Sequence, residues 1–251
     1  MQKWIRRIII LLLVIAVSYQ FVCIGKLGRE VKDFFNTVFE TIEPKPDFGK
    51  YQKATVEIKV GKKGGAGVIC KIDEKYLYIL TADHIVKQSG QVSIQINPKF
   101  SEKIKIENLD RKYIYRDKRV DLALITLPKP KGEFDYLPIT ERPVEQGDRI
   151  FTIGHPLNFH YTVTEGIVSN KSVIRKHNNR DIVYLMISSP SFSGNSGGAV
   201  VNSRGELIGV VVGIMYIEKP EGFVGKQTIF LFHMTFAVRV EDINKLMEIK
   251  K

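Results

Sequence analysis

A chain of 251 residues can bury a sizeable core and holds either one large domain or two small ones. Its apolar and aromatic content is ordinary for a globular protein and excludes a disordered chain. Lysine and arginine exceed the acids by 38 − 27 = 11, yet the charges are spread, with mild clustering at Lys59–Lys63 and Lys103–Arg119. Without aromatic interleaving or a nucleic-acid motif, this excess reads as a solvated basic surface, and no nucleic-acid partner is expected.

Residues 1–25 open the chain with Lys3, Arg6 and Arg7, then a nearly unbroken apolar run from Ile8 to Ile24. As a helix that run is about 25 Å long, near the lower limit for spanning a bilayer. The preceding cations hold the N-terminus in the cytosol and export the remainder, so a single-pass signal anchor is expected. A cleavable signal peptide ending at Ala16-Val17-Ser18, giving a secreted protein, is the alternative; the bulky residues Tyr19–Val22 favour the anchor. Residues 26–50 form an amphipathic helix and linker: Val31, Phe34, Phe35, Val38 and Ile42 recur at helical steps, and Pro44 and Pro46 close the helix and stiffen the linker. The two cysteines, Cys23 in the apolar run and Cys70 at a strand end, make neither a disulfide framework nor a metal-ligand spacing.

From about residue 51 the texture is all-β. Short runs rich in Val, Ile, Thr and Tyr recur between turn signals at Ala54–Val60, Gly67–Ile72, Tyr76–Thr81, Val92–Ile96 and Leu122–Leu127. A second series covers Arg149–Ile153, Tyr161–Val168, Ile182–Ile187, Ala199–Val201, Leu207–Val212 and Ile229–Val238. The proline-rich stretch between residues 128 and 143 parts the two series, and Val240–Lys250 reads as a closing amphipathic helix.

Three stretches carry chemistry. Ser191-Phe192-Ser193-Gly194-Asn195-Ser196-Gly197-Gly198 suits a backbone that turns sharply and presents one hydroxyl, with the amide N–H groups of Gly194 and Ser196 able to point at one spot. A plain Gly-Ser hairpin is the bland reading of those residues. Thr81-Ala82-Asp83-His84-Ile85-Val86 places a histidine just past a strand, and Val120-Asp121-Leu122-Ala123-Leu124 places one acid at the head of another. Taken singly, the first is a structural histidine and the second a turn residue.

Taken together, His84, then Asp121, then Gly194-Asn195-Ser196-Gly197-Gly198, on a two-series all-β chain, resemble the chymotrypsin-like serine proteases. The HtrA/Deg branch is the closer match. Gly65–Ile69, Thr81–Val86, Asp121–Leu124, Ile153-Gly154-His155-Pro156, Val163–Ser169, Gly205–Gly209 and Phe236–Val238 resemble its blocks in its order, over about residues 53 to 245. The resemblance implies two six-stranded antiparallel barrels, about 51–130 and 138–240, within a trypsin-like protease domain at 51–251. It departs at His155, where the branch usually has asparagine, and at Arg239, where it usually has proline. No PDZ-type domain is expected after the terminal helix, so PDZ regulation is not carried over.

By the same resemblance Ser196 is the nucleophile, His84 the base and Asp121 the group that orients it, with Asp83 as the rival acid. Gly194 and Ser196 form the oxyanion hole. Asn195 replaces the aspartate that pairs with a new N-terminus in digestive relatives, so loop 188–193 is expected to be shaped by substrate or by neighbouring subunits. Pro190, Gly213, Ile214 and Met234 line a shallow apolar substrate pocket. His155, His160, His177 and His233 are read as structural or surface residues, and no metal or organic cofactor is expected. The implied activity is endopeptidase cleavage of unfolded or damaged proteins, with a homotrimer as the implied assembly and residues 34–39 as its candidate contact. A non-catalytic peptide-binding protein and an esterase on the same fold are the alternatives.

Overall fold

The computed structural model describes residues 45–61, 63–97, 102–177, 180–222 and 225–249. The expected membrane anchor and the helical stripe from Val31 to Ile42 lie outside them. Among the described residues no helix is long and apolar enough to cross a membrane.

The first series of strands builds one antiparallel sheet. Its members are β1 (Thr55–Val60), β2 (Lys63–Ile72), β3 (Tyr76–Ala82), β4 (Val92–Ile96), β5 (Ile104–Ile106), β6 (Ile114–Asp117) and β7 (Leu122–Pro128), in the order β5-β4-β1-β2-β3-β7-β6. The sequence reading expected a six-stranded barrel here. The short β5 adds a seventh strand beside β4, and among the described residues β5 and β6 each pair on one side only, so this sheet keeps two edges. The second series does close: β8 (Arg149–Gly154), β9 (Thr162–His177), β10 (Arg180–Ile187), β11 (Ala199–Asn202), β12 (Leu207–Gly222) and β13 (Gly225–Arg239) form a six-stranded barrel.

Among the described residues three short α-helices accompany the strands. α1 (Phe48–Ala54) is capped by Asp47, whose carboxylate accepts from the Lys50 N–H, and its Tyr51 and Ala54 are buried. It occupies residues read from sequence as linker and strand start. α2 (Asp83–Val86) is a single turn directly after β3, and α3 (Val240–Glu248) turns Ile243 and Leu246 inward.

Strand alternation sorts the apolar residues into separate cores. Along β7, Ala123, Ile125 and Leu127 face the interior of the seven-stranded sheet, while Leu122 and Leu124 face the barrel. Both faces being covered, Leu122–Leu127 is an unbroken apolar run rather than an alternating one. Val68 and Cys70 of β2 and Leu80 of β3 join Leu122 and Leu124 on the barrel-facing side. They meet Phe151, Ile153, Ala199, Val201 and Val210 in one continuous cluster. This apolar seam fixes the end of β3 and the head of β7 against the strand that comes after Ser196.

Leu124 is wholly buried at the seam. Truncation to alanine removes a large side chain where rigid strands on both sides resist collapse, so Leu124→Ala should cost about 2–5 kcal/mol. A denaturant midpoint unchanged at constant m-value would show that the seam is not a stabilising core.

Candidate active site

Asp121 sits at the head of β7 with φ +60°, a left-handed conformation that aspartate tolerates better than most residues. That backbone turns the residue onto α2. Its carbonyl oxygen accepts from the Asp83 N–H at 3.0 Å, and its Oδ1 accepts from the His84 N–H at 2.8 Å. Its Oδ2 lies 2.7 Å from His84 Nδ1. The imidazole is thereby held at Nδ1, and Nε2 is the nitrogen left for other work. The rival acid is committed elsewhere. Asp83 is buried, and Arg116 donates to its two oxygens from Nε at 2.5 Å and Nη2 at 3.0 Å.

Ser196 reaches the same place from the barrel side. Its carbonyl oxygen accepts from the Ala66 N–H at 2.8 Å, which pins the loop to β2. The next residue fits only as glycine. Gly197 has φ +84°, its N–H donates to Val211 O at 2.7 Å, and a Cβ there would stand 2.0 Å from Ala66 O. Gly194 is similarly constrained, with φ +102° and a would-be Cβ 2.1 Å from His155 O. It is the third residue of a turn closed by the Asn195 N–H donating to Phe192 O at 3.0 Å. Positive φ at that position is the signature of a type II turn. Among the described residues, neither the Gly194 nor the Ser196 N–H has a protein acceptor.

His84, Ser196 and Gly194 line one cavity of about 580 Å³, together with Gly65, Ser193 and His155. No hydrogen bond among the described residues joins the Ser196 hydroxyl to the imidazole; such contacts commonly tighten only when substrate arrives. Glu57 and Lys59 line this cavity too and neutralise each other at 2.8 Å.

The loop before Ser196 is held by hydrogen bonds within the chain. The Ser189 hydroxyl is buried between Thr152 Oγ1 at 2.9 Å and Thr164 Oγ1 at 2.8 Å, and its carbonyl accepts from Thr235 Oγ1 at 2.8 Å. The Ser191 N–H donates to Phe232 O at 2.9 Å, and the His155 N–H to Gly194 O at 3.3 Å. This hydroxyl network was missed in the sequence. Its only signal there is the unusual density of Ser and Thr in strands and loop.

The residues expected to form the substrate pocket come near one another through Thr235. Ile214 is its cross-strand partner, Met234 its neighbour on β13, and Pro190 comes directly after the serine whose carbonyl it holds. Gly213, beside Ile214, lines a second cavity with Asp121.

His155 is buried, as a structural histidine should be. Its Nε2 lies 3.2 Å from Val56 O and its Nδ1 accepts from the Tyr161 N–H at 3.1 Å, which assigns the proton to Nε2. His160 and His233 are exposed, in keeping with surface roles. Among the described residues no group of three or more His, Cys, Asp or Glu could hold a metal ion.

The arrangement is that of a chymotrypsin-like peptidase, and the comparisons agree. The trypsin-like peptidase domain family matches residues 65–210, more than half of the chain, and the chain belongs to that family. It is similar to the periplasmic serine endoprotease DegP of Escherichia coli K12, 31% identical over 160 residues, covering 63% of this chain and 31% of that protein. It is also similar to the serine protease HtrA-like of Staphylococcus aureus USA300, 28% identical over 235 residues, covering 89% of this chain and 28% of that protein. These relatives agree with the HtrA/Deg resemblance, and the matched part spans about a third of their length. Among solved structures, the inactive form of Rv3671c from M. tuberculosis H37Rv shares the fold. Its TM-score is 0.61 at 17% identity, over 82% of this chain and 91% of that one.

Burial, foremost, holds the His155 imidazole below its ordinary range. The unfolded chain, titrating near pH ~6.5, therefore takes up the proton first as pH falls. His155 contributes stability that is fully present above about pH 6.5 and lost as pH drops through the depressed folded value. His155→Asn should flatten the fall of Tm between about pH 7 and pH 5; an unchanged slope would show that the acid sensitivity lies elsewhere.

Proposed function

We propose that the chain is a serine endopeptidase that hydrolyses peptide bonds of unfolded or damaged polypeptides. In this reading Ser196 is the nucleophile, His84 the base and Asp121 its positioning partner. The observation that carries it is the 2.7 Å contact between His84 Nδ1 and Asp121 Oδ2 in an imidazole that shares a cleft with Ser196.

Ser196 Oγ attacks the scissile carbonyl carbon and its proton passes to His84 Nε2. The carbonyl oxygen becomes an oxyanion between the Gly194 and Ser196 N–H groups, which have no competing acceptor among the described residues. Collapse breaks the C–N bond, and the leaving amine takes the proton from His84. Water then enters by the same route: His84 takes its proton, hydroxide adds to the acyl carbon, and Ser196 leaves with the proton returned. Asp121 stays ionised, fixing the tautomer and balancing the imidazolium. Pro190, Gly213, Ile214 and Met234 give an apolar pocket for Val, Ala, Ile or Leu, in which one methylene discriminates by only about 1–3 kcal/mol.

Residues 1–25 as anchor, 26–50 as linker and 51–251 as peptidase domain belong to this reading, with the domain outside the cytosol. The name of the periplasmic relative DegP and the cations before the apolar run both support that side of the membrane. A homotrimer is the assembly this reading includes.

Full-length protein in detergent micelles should cleave unfolded casein and be labelled by a fluorophosphonate probe. Both should vanish in Ser196→Ala. Asp121→Asn should lower kcat by about 10⁴ by permitting the wrong tautomer. Casein binding without labelling would leave a binding protein, and ester turnover without peptide cleavage an esterase.

A further inference from the structure

The His84–Asp121 pair stands between two cavities. His84 lines the one that contains Ser196, and Asp121 lines another, of about 340 Å³. The second is strongly basic. Lys87 from the end of α2, Lys118 and Arg119 from the turn before Asp121, and Arg175 and Lys176 from β9 all line it. The one carboxylate in that lining is Asp121, and both its oxygens are engaged by His84. Arg119 is held by Asp117 through contacts of 3.0 and 2.6 Å. Among the described residues no carboxylate lies within ion-pair distance of Lys87, Lys118 or Arg175.

Arg175 is also pre-positioned. Its guanidinium lies over the Phe236 ring at 4.6 Å, and Phe236 is the cross-strand partner of Gly213. β12 parts from β11 after Val210, so from Val212 onward that edge has no strand partner among the described residues. A Cβ on Gly213 would meet nothing within 4 Å. An extended peptide can add to such an edge through its main chain, with alternate side chains entering the space beside it. Beside Gly213 that space is the basic cavity.

We propose that this cavity is a subsite for substrate carboxylates, one that makes the enzyme prefer polypeptide segments with Asp or Glu shortly before the scissile bond. The assignment rests on the peptidase reading. In that reading the residue that supplies the scissile carbonyl lies beside Gly213 and Ile214. Residues amino-terminal to it therefore continue along β12 towards Arg175 and Tyr216, which is exposed at the rim of the same cavity. Lys87, Lys118 and Arg175 would each meet a carboxylate in a cleft whose walls concentrate the positive potential.

The test uses pairs of fluorogenic peptides built on a site that the full-length enzyme cuts in casein, identical except for Glu or Gln two to four residues before the cleaved bond. The Glu member should show kcat/KM about three- to tenfold higher at low salt, with the ratio shrinking towards one near ~0.5 M salt. Lys87→Gln/Lys118→Gln should lower the ratio, and so should Arg175→Gln. Because Arg175 also packs on Phe236, the lysine pair keeps the test readable if the arginine variant misfolds. Equal cleavage of Glu and Gln peptides, or a ratio that neither variant moves, overturns the subsite and leaves the peptidase intact. Absence of casein cleavage and of Ser196 labelling overturns the peptidase reading and the subsite with it.

Discussion

The site depends on one residue held in an unusual backbone conformation. Asp121 at φ +60° accepts three hydrogen bonds from a single turn of helix: one at its carbonyl oxygen and two at its carboxylate. A left-handed backbone costs most residues about 1–2 kcal/mol, and charge-assisted hydrogen bonds of this kind offset it. The result ties the head of β7 to the end of β3 and sets the imbalance between the two imidazole nitrogens. Arg116 matters equally, because it occupies Asp83. Without it, a second carboxylate adjacent in sequence to His84 would add an uncompensated charge to the same turn.

The other half of the site is held by close backbone approach rather than by charge. Ser196 and Gly197 lie directly on β2, and Gly194 lies against His155. Where digestive relatives are expected to use an ion pair at the residue before the nucleophile, this chain has a buried amide, Asn195. The loop instead rests on the hydroxyls of Thr152, Thr164, Ser189 and Thr235. Neutral hydroxyl networks keep their hydrogen bonds across a wide pH range.

The pairing of His84 with Asp121 and their place beside Ser196 were legible in the sequence because few residue types can supply that chemistry, and their order and flanking blocks are distinctive. The strands were legible where apolar runs are covered on both faces, as along β7, or alternate cleanly, as in β4. β5 and β6 were not, since short edge strands carry too few residues to show a period. The barrel hairpin β12–β13 extends well past the expected ends at Val212 and Ile229. Its outer part is rich in polar residues and contains Pro220, which reads as a strand breaker. The first sheet carries seven strands and two edges among the described residues where the family resemblance implies a closed six-stranded barrel, because registers at sheet edges are set by contacts far apart in the chain.

Charge was the least legible property of all. Read along the chain, the excess of basic residues looks diffuse, and only Lys118 and Arg119 fall in a visible cluster. Folding changes that, because Lys87, Lys118 and Arg175 arrive from three separate elements around one cavity. The cavity that holds Ser196 is less basic, with Glu57 and Lys59 paired side by side on β1 and Lys63 near them. A net charge spread evenly over the surface would give the two sides of His84 similar potentials. The distribution seen here makes them unlike: the Ser196 side carries the Glu57–Lys59 pair and Lys63, and the other side carries five basic side chains around Asp121. With the proposed subsite on that side, direction along the cleft would join the pocket beside Ser196 as a source of selectivity.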